Sequence, residues 1–365
     1  MKLTIERDHL VFALTPCAAV APVRGTLPIV SCVLLSAKGK TLTASATDLI
    51  CGVRRTCDAK TTEPGSVAVG AKDLLERVKT LPSGPVTMVG TTESLTVSSG
   101  KRKHVLHCQA PADMPPLPEP KTDGVKVAAG MFLSSLERAA VTASKDGTRP
   151  GMNAVAIDTH EGRLRMRAAS NSGMGAVSVP LAVVVPKLLM PLESSLALRR
   201  VIDTEGDLFV STDTARAYFI SDRTLFVTAL PSADHVPFDT FITIRDGLPC
   251  HATIERLPLI SALRSVQLAA GRGELGGIVI LKFTKGSLAI WAESVESNGN
   301  DELDVECETP GKVVVFAPQL LDALDACDDE RVKFDFGQGV DPLFVTPEKV
   351  DTYLGIVMPL SEKGA

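Results

Sequence analysis

One pattern, a short strand running into an amphipathic helix, occurs three times in this sequence at nearly constant spacing. That repetition limits the fold more than any single motif does. The copies are KLTIERDHLVFALTPCAAV from Lys2, KVAAGMFLSSLERAAVTAS from Lys126 and HATIERLPLISALRSVQLA from His251, with starts 124 and 125 residues apart. Leucines recur near helical i, i+3/i+4 spacing after each strand. The triplet Ile-Glu-Arg even repeats literally, at Ile5–Arg7 and Ile254–Arg256. A second unit sits inside each copy: VAVGAKDLLERVKTL from Val67, VVVPKLLMPLESSLAL from Val183 and VVFAPQLLDALDAC from Val314. Here a β-branched strand enters a helix after Ala or Pro, which puts Asp73, Lys187 or Gln319 in the first turn. Alternating or continuous apolar runs such as GKTLTASATDLICGVRR, EGRLRMRAAS, GDLFVSTDTARAYFISD, GGIVILKFTKGSLAIWAES and RVKFDFGQG read as strands, separated by Gly, Asp, Asn and Ser turns. The fold class is therefore α+β, with three domains of near-equal size, each a doubled helix-plus-antiparallel-strands unit. Proline-rich stretches from Pro111 to Pro120 and from Pro231 to Pro249 mark the boundaries, giving 1–121, 122–247 and 248–365.

Composition agrees with a folded, soluble chain of this size. Of 365 residues, 45% are apolar and 22% charged, so a disordered tail, a fibre and a disulfide miniprotein are excluded. Aromatics make up 4%, which predicts aliphatic cores. A net charge of −5 speaks against binding nucleic acid through overall charge. The opening MKLTIERDHLVF lacks the apolar run of a signal peptide, and the apolar stretch Met174–Leu192 is broken by Pro180, Pro186, Lys187 and Pro191. Eight cysteines without a CxxC pair read as reduced, buried thiols. A cytoplasmic protein is the expectation.

The opening MKLTIERDHL, the segment Arg24-Gly25-Thr26-Leu27-Pro28-Ile29, Thr47-Asp48-Leu49 and the closing Val357-Met358-Pro359-Leu360 resemble the bacterial DNA polymerase III beta-subunit family, the sliding clamps. The resemblance runs in order over the whole chain and includes all three repeats. It implies a head-to-tail homodimer closed into a ring around duplex DNA, with helices lining the hole and sheets outside. Six units per chain and a closing rotation suit such a toroid. Encirclement needs no grip, so DNA contacts are expected to be sequence-independent and phosphate-directed. The resemblance places them at Arg24, Lys72, Arg77, Lys79, Arg138, Arg149, Lys187, Arg199, Arg200 and Arg264, where the plainer reading of each is a solvated helix face. Arg24 and Arg149 fall in segments matching DNA-facing loops of the family.

The family's ring closes by joining the first domain of one chain to the third of the other. Here the first offers Lys101, Arg102, Lys103, His104 and Leu106. The third offers Glu296, Asp301, Glu302 and Asp304 with Val266 and Leu268, and opposite charges would orient the contact. A hairpin tip and a solvated acidic turn are the alternative. The resemblance also implies a hydrophobic cleft for short linear motifs of polymerases, clamp loader and repair proteins. Matching positions are Met152, Ser170, Pro237, Ile242, Ile356, Val357, Met358, Pro359 and Leu360, against the plainer reading of a last strand in a core. This chain departs from the family at the rim, where Met174 replaces a cation and Phe241 an arginine, and Pro150-Gly151 follows Arg149 in place of paired aromatics. A secondary or resistance-type relative with a narrower partner list is therefore the alternative function.

Enzymatic readings are weaker. Gly271–Gly276 matches GxGxxG but follows a helix and precedes a strand, the reverse of the dinucleotide-binding order. Ser98–Lys101 matches SxxK without its companion motifs. His104 and Cys108 would share a strand face that His107 does not, which is poor geometry for a metal. A non-catalytic protein with no cofactor and no metal is the expectation.

Overall fold

A computed structural model describes residues 1–23, 27–271 and 277–361. Each predicted strand-to-helix unit forms where the periodicity changes from two to 3.6. Strand Lys2–Glu6 enters α1 (Arg7–Val20), Gly65–Gly70 enters α2 (Ala71–Lys79), and Val125–Ala128 enters α3 (Ala129–Ala140). Strand Leu188–Pro191 enters α4 (Leu192–Val201). A short helix not foreseen in the proline-rich segment, α5, covers Asp239–Arg245. Strand Cys250–Glu255 then enters α6 (Arg256–Val266), and Gly311–Phe316 enters α7 (Ala317–Ala326). One boundary is corrected. Lys187 lies ahead of strand Leu188–Pro191, and the first turn of α4 carries Glu193 instead. Pairing of Met190 with Val155 and Leu188 with Ile157 keeps the residues after Pro186 extended.

Among the described residues the strands form antiparallel sheets of 13, nine and four strands. Contacts divide the chain into two compact units, Met1–Leu133 with Glu193–Leu230, and Ser134–Leu192 with Pro231–Ala365. In the first unit, the sheet crosses from one third of the sequence to the next where Cys51–Arg55 pairs with Thr224–Thr228. In the second, Gly173–Val177 pairs with Tyr353–Val357. The central third thus lends one half of its strands to each unit. Leucine, valine and isoleucine dominate both cores, but the few aromatics are concentrated there too. Phe219 lies 5.9 Å from Phe132 and 6.2 Å from Phe226, while Phe283 lies 4.5 Å from Phe336.

The literal Ile-Glu-Arg repeat has a structural cause. Arg7 opens α1 and its Nη1 donates to Leu81 O just past α2, at 3.1 Å. Arg256 opens α6 and donates to Asp329 O just past α7, at 2.8 Å. Each guanidinium thus meets carbonyls at the end of the other helix in its own repeat, where the helix dipole is negative. Two more arginines do the same at the sheet crossings. Arg55, buried, donates to Val201 O at the end of α4 (2.7 Å) and to Thr224 Oγ1 (2.6 Å), beneath the Phe12 ring. Arg138 donates to Ala326 O at the end of α7 (2.7 Å) and pairs with Asp328 (2.9 Å).

All eight cysteines are free thiols, seven of them buried and Cys108 half-buried. Burial pushes Cys17 and Cys327 up to about 12, so both stay protonated and inert. No helix among the described residues is long and apolar enough to cross a membrane. The arginine account is directly testable. Arg55→Met keeps bulk but leaves the Val201 carbonyl and Thr224 hydroxyl without their donor, at a cost of about 2–3 kcal/mol. Urea unfolding should show that loss, and a midpoint equal to the wild type would refute the keystone role of Arg55.

Candidate functional site

A single row of side chains crosses the nine-stranded sheet and builds the candidate cleft. In register, Ala169 faces Met174, Met174 faces Ile356, Ile356 faces Phe344, Phe344 faces Asp335, and Asp335 faces His251. Directly opposed residues share a sheet face, so the row is apolar at one end and charged at the other. The segment around α5 packs on the apolar end. Phe238 and Leu248 are buried in one cluster with Ala169, Met174, Phe344 and Ile356, and Val236, Phe241 and Met358 pack partly exposed against it. Met174 and Phe241, the two departures at the rim, are thus parts of one apolar surface.

The remaining cleft residues divide by exposure. Pro237 and Ile242 are exposed; Met152, Ser170, Met358, Pro359 and Leu360 are half-buried. Ile356 is a core residue, 1% exposed, and forms the floor rather than a wall. Val357 does not belong to this face. Strand alternation turns it away from Ile356 and Met358, and it is buried opposite Gly173 and Leu343. Sequence reading missed Ser172 and Gly173, which hold the last strand in place. Ser172 O accepts from Met358 N–H at 2.8 Å, and its hydroxyl accepts from Gln319 Nε2. A Cβ at residue 173 would meet Ile356 O at 2.6 Å, so only glycine permits this approach. Beyond Met358, Leu360 N–H donates to Val314 O (2.8 Å), tying this segment to the four-stranded sheet.

A charged cluster lies beside the segment that leads into α5. Asp158 takes Arg165 Nε (2.8 Å) and Arg167 Nη2 (2.6 Å). Burial alone would raise that carboxyl, but the Arg165 hydrogen bond and the Arg167 charge outweigh it and hold the pKa below the ordinary value. His235 Nε2 is buried without a hydrogen-bond partner among the described residues. Burial and then the Arg167 cation push the His235 pKa down.

Among the cations expected to face DNA, Arg24 lies outside the described residues. Arg138 is withdrawn from the set. Its side chain is 16% exposed and is held by Ala326 O, Asp328 and the Tyr353 ring. Lys72, Lys79, Arg149, Lys187, Arg199, Arg200 and Arg264 are exposed, and Arg77 is half-buried. Arg77 pairs with Asp73 (2.8 Å), Lys79 with Glu76 (3.1 Å) and Arg264 with Asp325 (3.2 Å). Arg149 donates to Asn171 Oδ1 at 2.6 Å. Exposed pairs of this kind contribute about 0–1 kcal/mol, so a phosphate can displace the carboxylate.

Each unit also presents a strand with an open edge among the described residues. Arg102–Gln109 pairs along Ser94–Ser99 on one side, but on the other only Cys108 and Gln109 meet Val69 and Ala68. Asn298–Asp304 pairs on one side with Ser287–Glu293 and ends the four-stranded sheet. Lys101, Arg102 and Lys103 on or beside the first, and Glu296, Asp301, Glu302 and Asp304 on or beside the second, are exposed. Arg102 donates to Thr80 O, and half-buried His104 lies 3.3 Å from Thr80 Oγ1. Two apolar assignments are corrected. Leu106 and Val266 are buried by alternation and helix packing, and Val105, 54% exposed, takes the outward place of Leu106. Leu268, 81% exposed, is apolar surface as expected. No group of three or more metal-ligating side chains occurs among the described residues, and Gly271–Gly276 falls mostly outside them.

Comparison with known proteins fits this geometry. Residues 1–118 match the DNA polymerase III beta subunit, N-terminal domain. The chain is 25% identical to the beta sliding clamp of Streptomyces coelicolor over all of both proteins. It is 26% identical to that of Caulobacter vibrioides, covering 99% of this chain and 100% of the other. The chain is thus similar over its full length to proteins named beta sliding clamp, and its first third matches the DNA polymerase III beta-subunit N-terminal domain. Its fold superposes on the Pseudomonas aeruginosa sliding clamp solved with bound griselimycin, with TM-score 0.90, 22% identity and 99% of each chain covered.

The His235 environment gives a pH signature. Because its pKa is lowered from the ordinary 6.5, the folded state binds fewer protons than the unfolded state. The contribution to stability is complete above about pH 6.5 and is lost as pH falls through the folded value. Urea unfolding from about pH 7.5 to about pH 5 should show an extra decline in the wild type that His235→Gln lacks. Parallel curves would refute it.

Proposed function

We propose that the chain is a DNA sliding clamp: two copies close head to tail around duplex DNA and tether the replicative polymerase, conferring processivity. The observation that carries this reading is collinearity over full length with proteins named beta sliding clamp, in a chain whose fold superposes on a solved sliding clamp. In this reading the three sequence repeats act as domains 1–121, 122–247 and 248–365. Processivity then comes from topology and requires no catalytic group, cofactor or metal.

Exposed Lys72, Lys79, Arg149, Lys187, Arg199, Arg200 and Arg264, with Arg77 and Arg24, supply phosphate contacts that slide without reading sequence. A net charge of −5 is compatible with this, since acidic outer surface repels DNA while a minority of cations faces it. Ring closure uses the two open strand edges, basic at Lys101–Lys103 and acidic at Asp301–Asp304, so the contact is both a strand pairing and a charge match. The apolar surface around Met174, Phe241, Ile242 and Met358 receives linear motifs of polymerase, clamp loader and repair proteins, and its methionines repack around different side chains. The working compartment is the cytoplasm, on the nucleoid.

The decisive experiment loads the protein onto nicked circular DNA with a clamp loader and ATP. Retention is expected until the circle is linearised, followed by release. Retention on linear DNA with free ends would overturn topological binding. The interface has its own test, because Arg102 is occupied by Thr80 while Lys101 and Lys103 are not held by an ion pair among the described residues. Lys101→Glu with Lys103→Glu should shift sedimentation toward monomer at low micromolar concentration. An unchanged profile would remove this edge from the ring contact.

A further inference from the structure

We propose that Asp335 is a positioning residue for the partner cleft: through Arg245 it fixes α5, and so sets where Phe241 and Ile242 stand. The proposal rests on the cleft reading above.

Asp335 and the cleft floor are neighbours in the same transverse row, since Asp335 faces Phe344 and Phe344 faces Ile356. The segment from Val236 to Leu248 covers both ends of that row. Its Phe238 and Leu248 bury themselves on Phe344, Ile356 and Met174. Its Arg245 reaches the charged end, where Nε donates to Asp335 Oδ2 at 2.6 Å and Nη2 lies 3.4 Å from Thr346 Oγ1. The other carboxylate oxygen is 2.8 Å from His251 Nδ1, so both oxygens are used by different elements. The Asp335 side chain is only 12% exposed, which lets water replace Arg245 poorly.

The helix needs this tie. None of the seven residues of α5 is buried, so its own packing holds it weakly. At its other end Asp239 stands 3.8 Å from Arg167 with a 75% exposed side chain, a looser contact than that of Arg245. Arg245 is four residues from Phe241 and three from Ile242, the spacings that make helix side chains neighbours on one face. Displacing the Arg245 end therefore displaces Phe241, which packs on the cluster shared by Met174 and Met358.

The test is a double-mutant cycle on the full chain, with a labelled polymerase-derived clamp-binding peptide as probe. Arg245→Met and Asp335→Asn should each weaken the peptide Kd about tenfold, and the double variant should be no weaker than the worse single one. Hydrogen exchange of amides 238–248 should quicken in all three. Arg245→Lys, which can still pair with the carboxylate, should recover most of the affinity, a rescue that simple loss of stability would not produce. Single variants that bind as the wild type does, or losses that multiply in the double variant, would overturn the positioning role. A wild-type chain that leaves the peptide unbound would instead overturn the cleft reading, and this proposal with it.

Discussion

Backbone pairing of Cys51–Arg55 with Thr224–Thr228, and of Gly173–Val177 with Tyr353–Val357, joins strands that are far apart in sequence into shared sheets. Everything else in the two units is arranged around these crossings. Such pairing uses N–H and C=O groups that every non-proline residue carries, so it constrains pattern more than identity. That accounts for a fold matching the Pseudomonas aeruginosa protein at TM-score 0.90 with 22% identity. The positions that do demand a particular residue are few and local. Gly173 must lack a side chain where the last strand passes, and Arg55 must reach a helix end from inside the sheet.

Arginine is divided between two tasks that look the same in a sequence. Helix α7 has no basic residue in its own last turn, and its terminal carbonyls are met by Arg138 and Arg256 from other elements. Helices α2, α4 and α6 carry their own cations there, at Arg77 and Lys79, Arg199 and Arg200, and Arg264. Those side chains remain at the surface and can meet phosphate. A guanidinium recruited to a distant carbonyl is no longer open to an outside anion, and the difference is decided by tertiary structure rather than by position in a helix.

That division explains much of what could be read from the sequence and what could not. Periods of two and 3.6 are plain in segments such as Thr41–Thr47 and Ala71–Lys79, so strands, helices and the repeat are legible. Errors of detail came from single-residue offsets. Leu106 and Val357 were assigned to faces occupied by Val105 and by Ile356 with Met358, because alternation inverts a face with one step. Lys187 follows a proline as a first-turn residue would, and only the pairing of Leu188–Pro191 with Ala154–Ile157 shows that the chain stays extended there. Helix α5 escaped notice because seven residues without a buried position leave no periodic signal. The alignment of Asp335 with the cleft floor was invisible, since it depends on register across five strands.

The bond from Leu360 to Val314 makes the end of the described chain a stitch between two sheets of one unit, not a loose thread. Any protein fused downstream of it would load that stitch, and with it the strand beneath Met358. The turn at Gly39 bears no such load, because it is exposed and an added Cβ there meets nothing within 4 Å. A reporter carried at that turn would leave the seam under Met358 as the sequence built it.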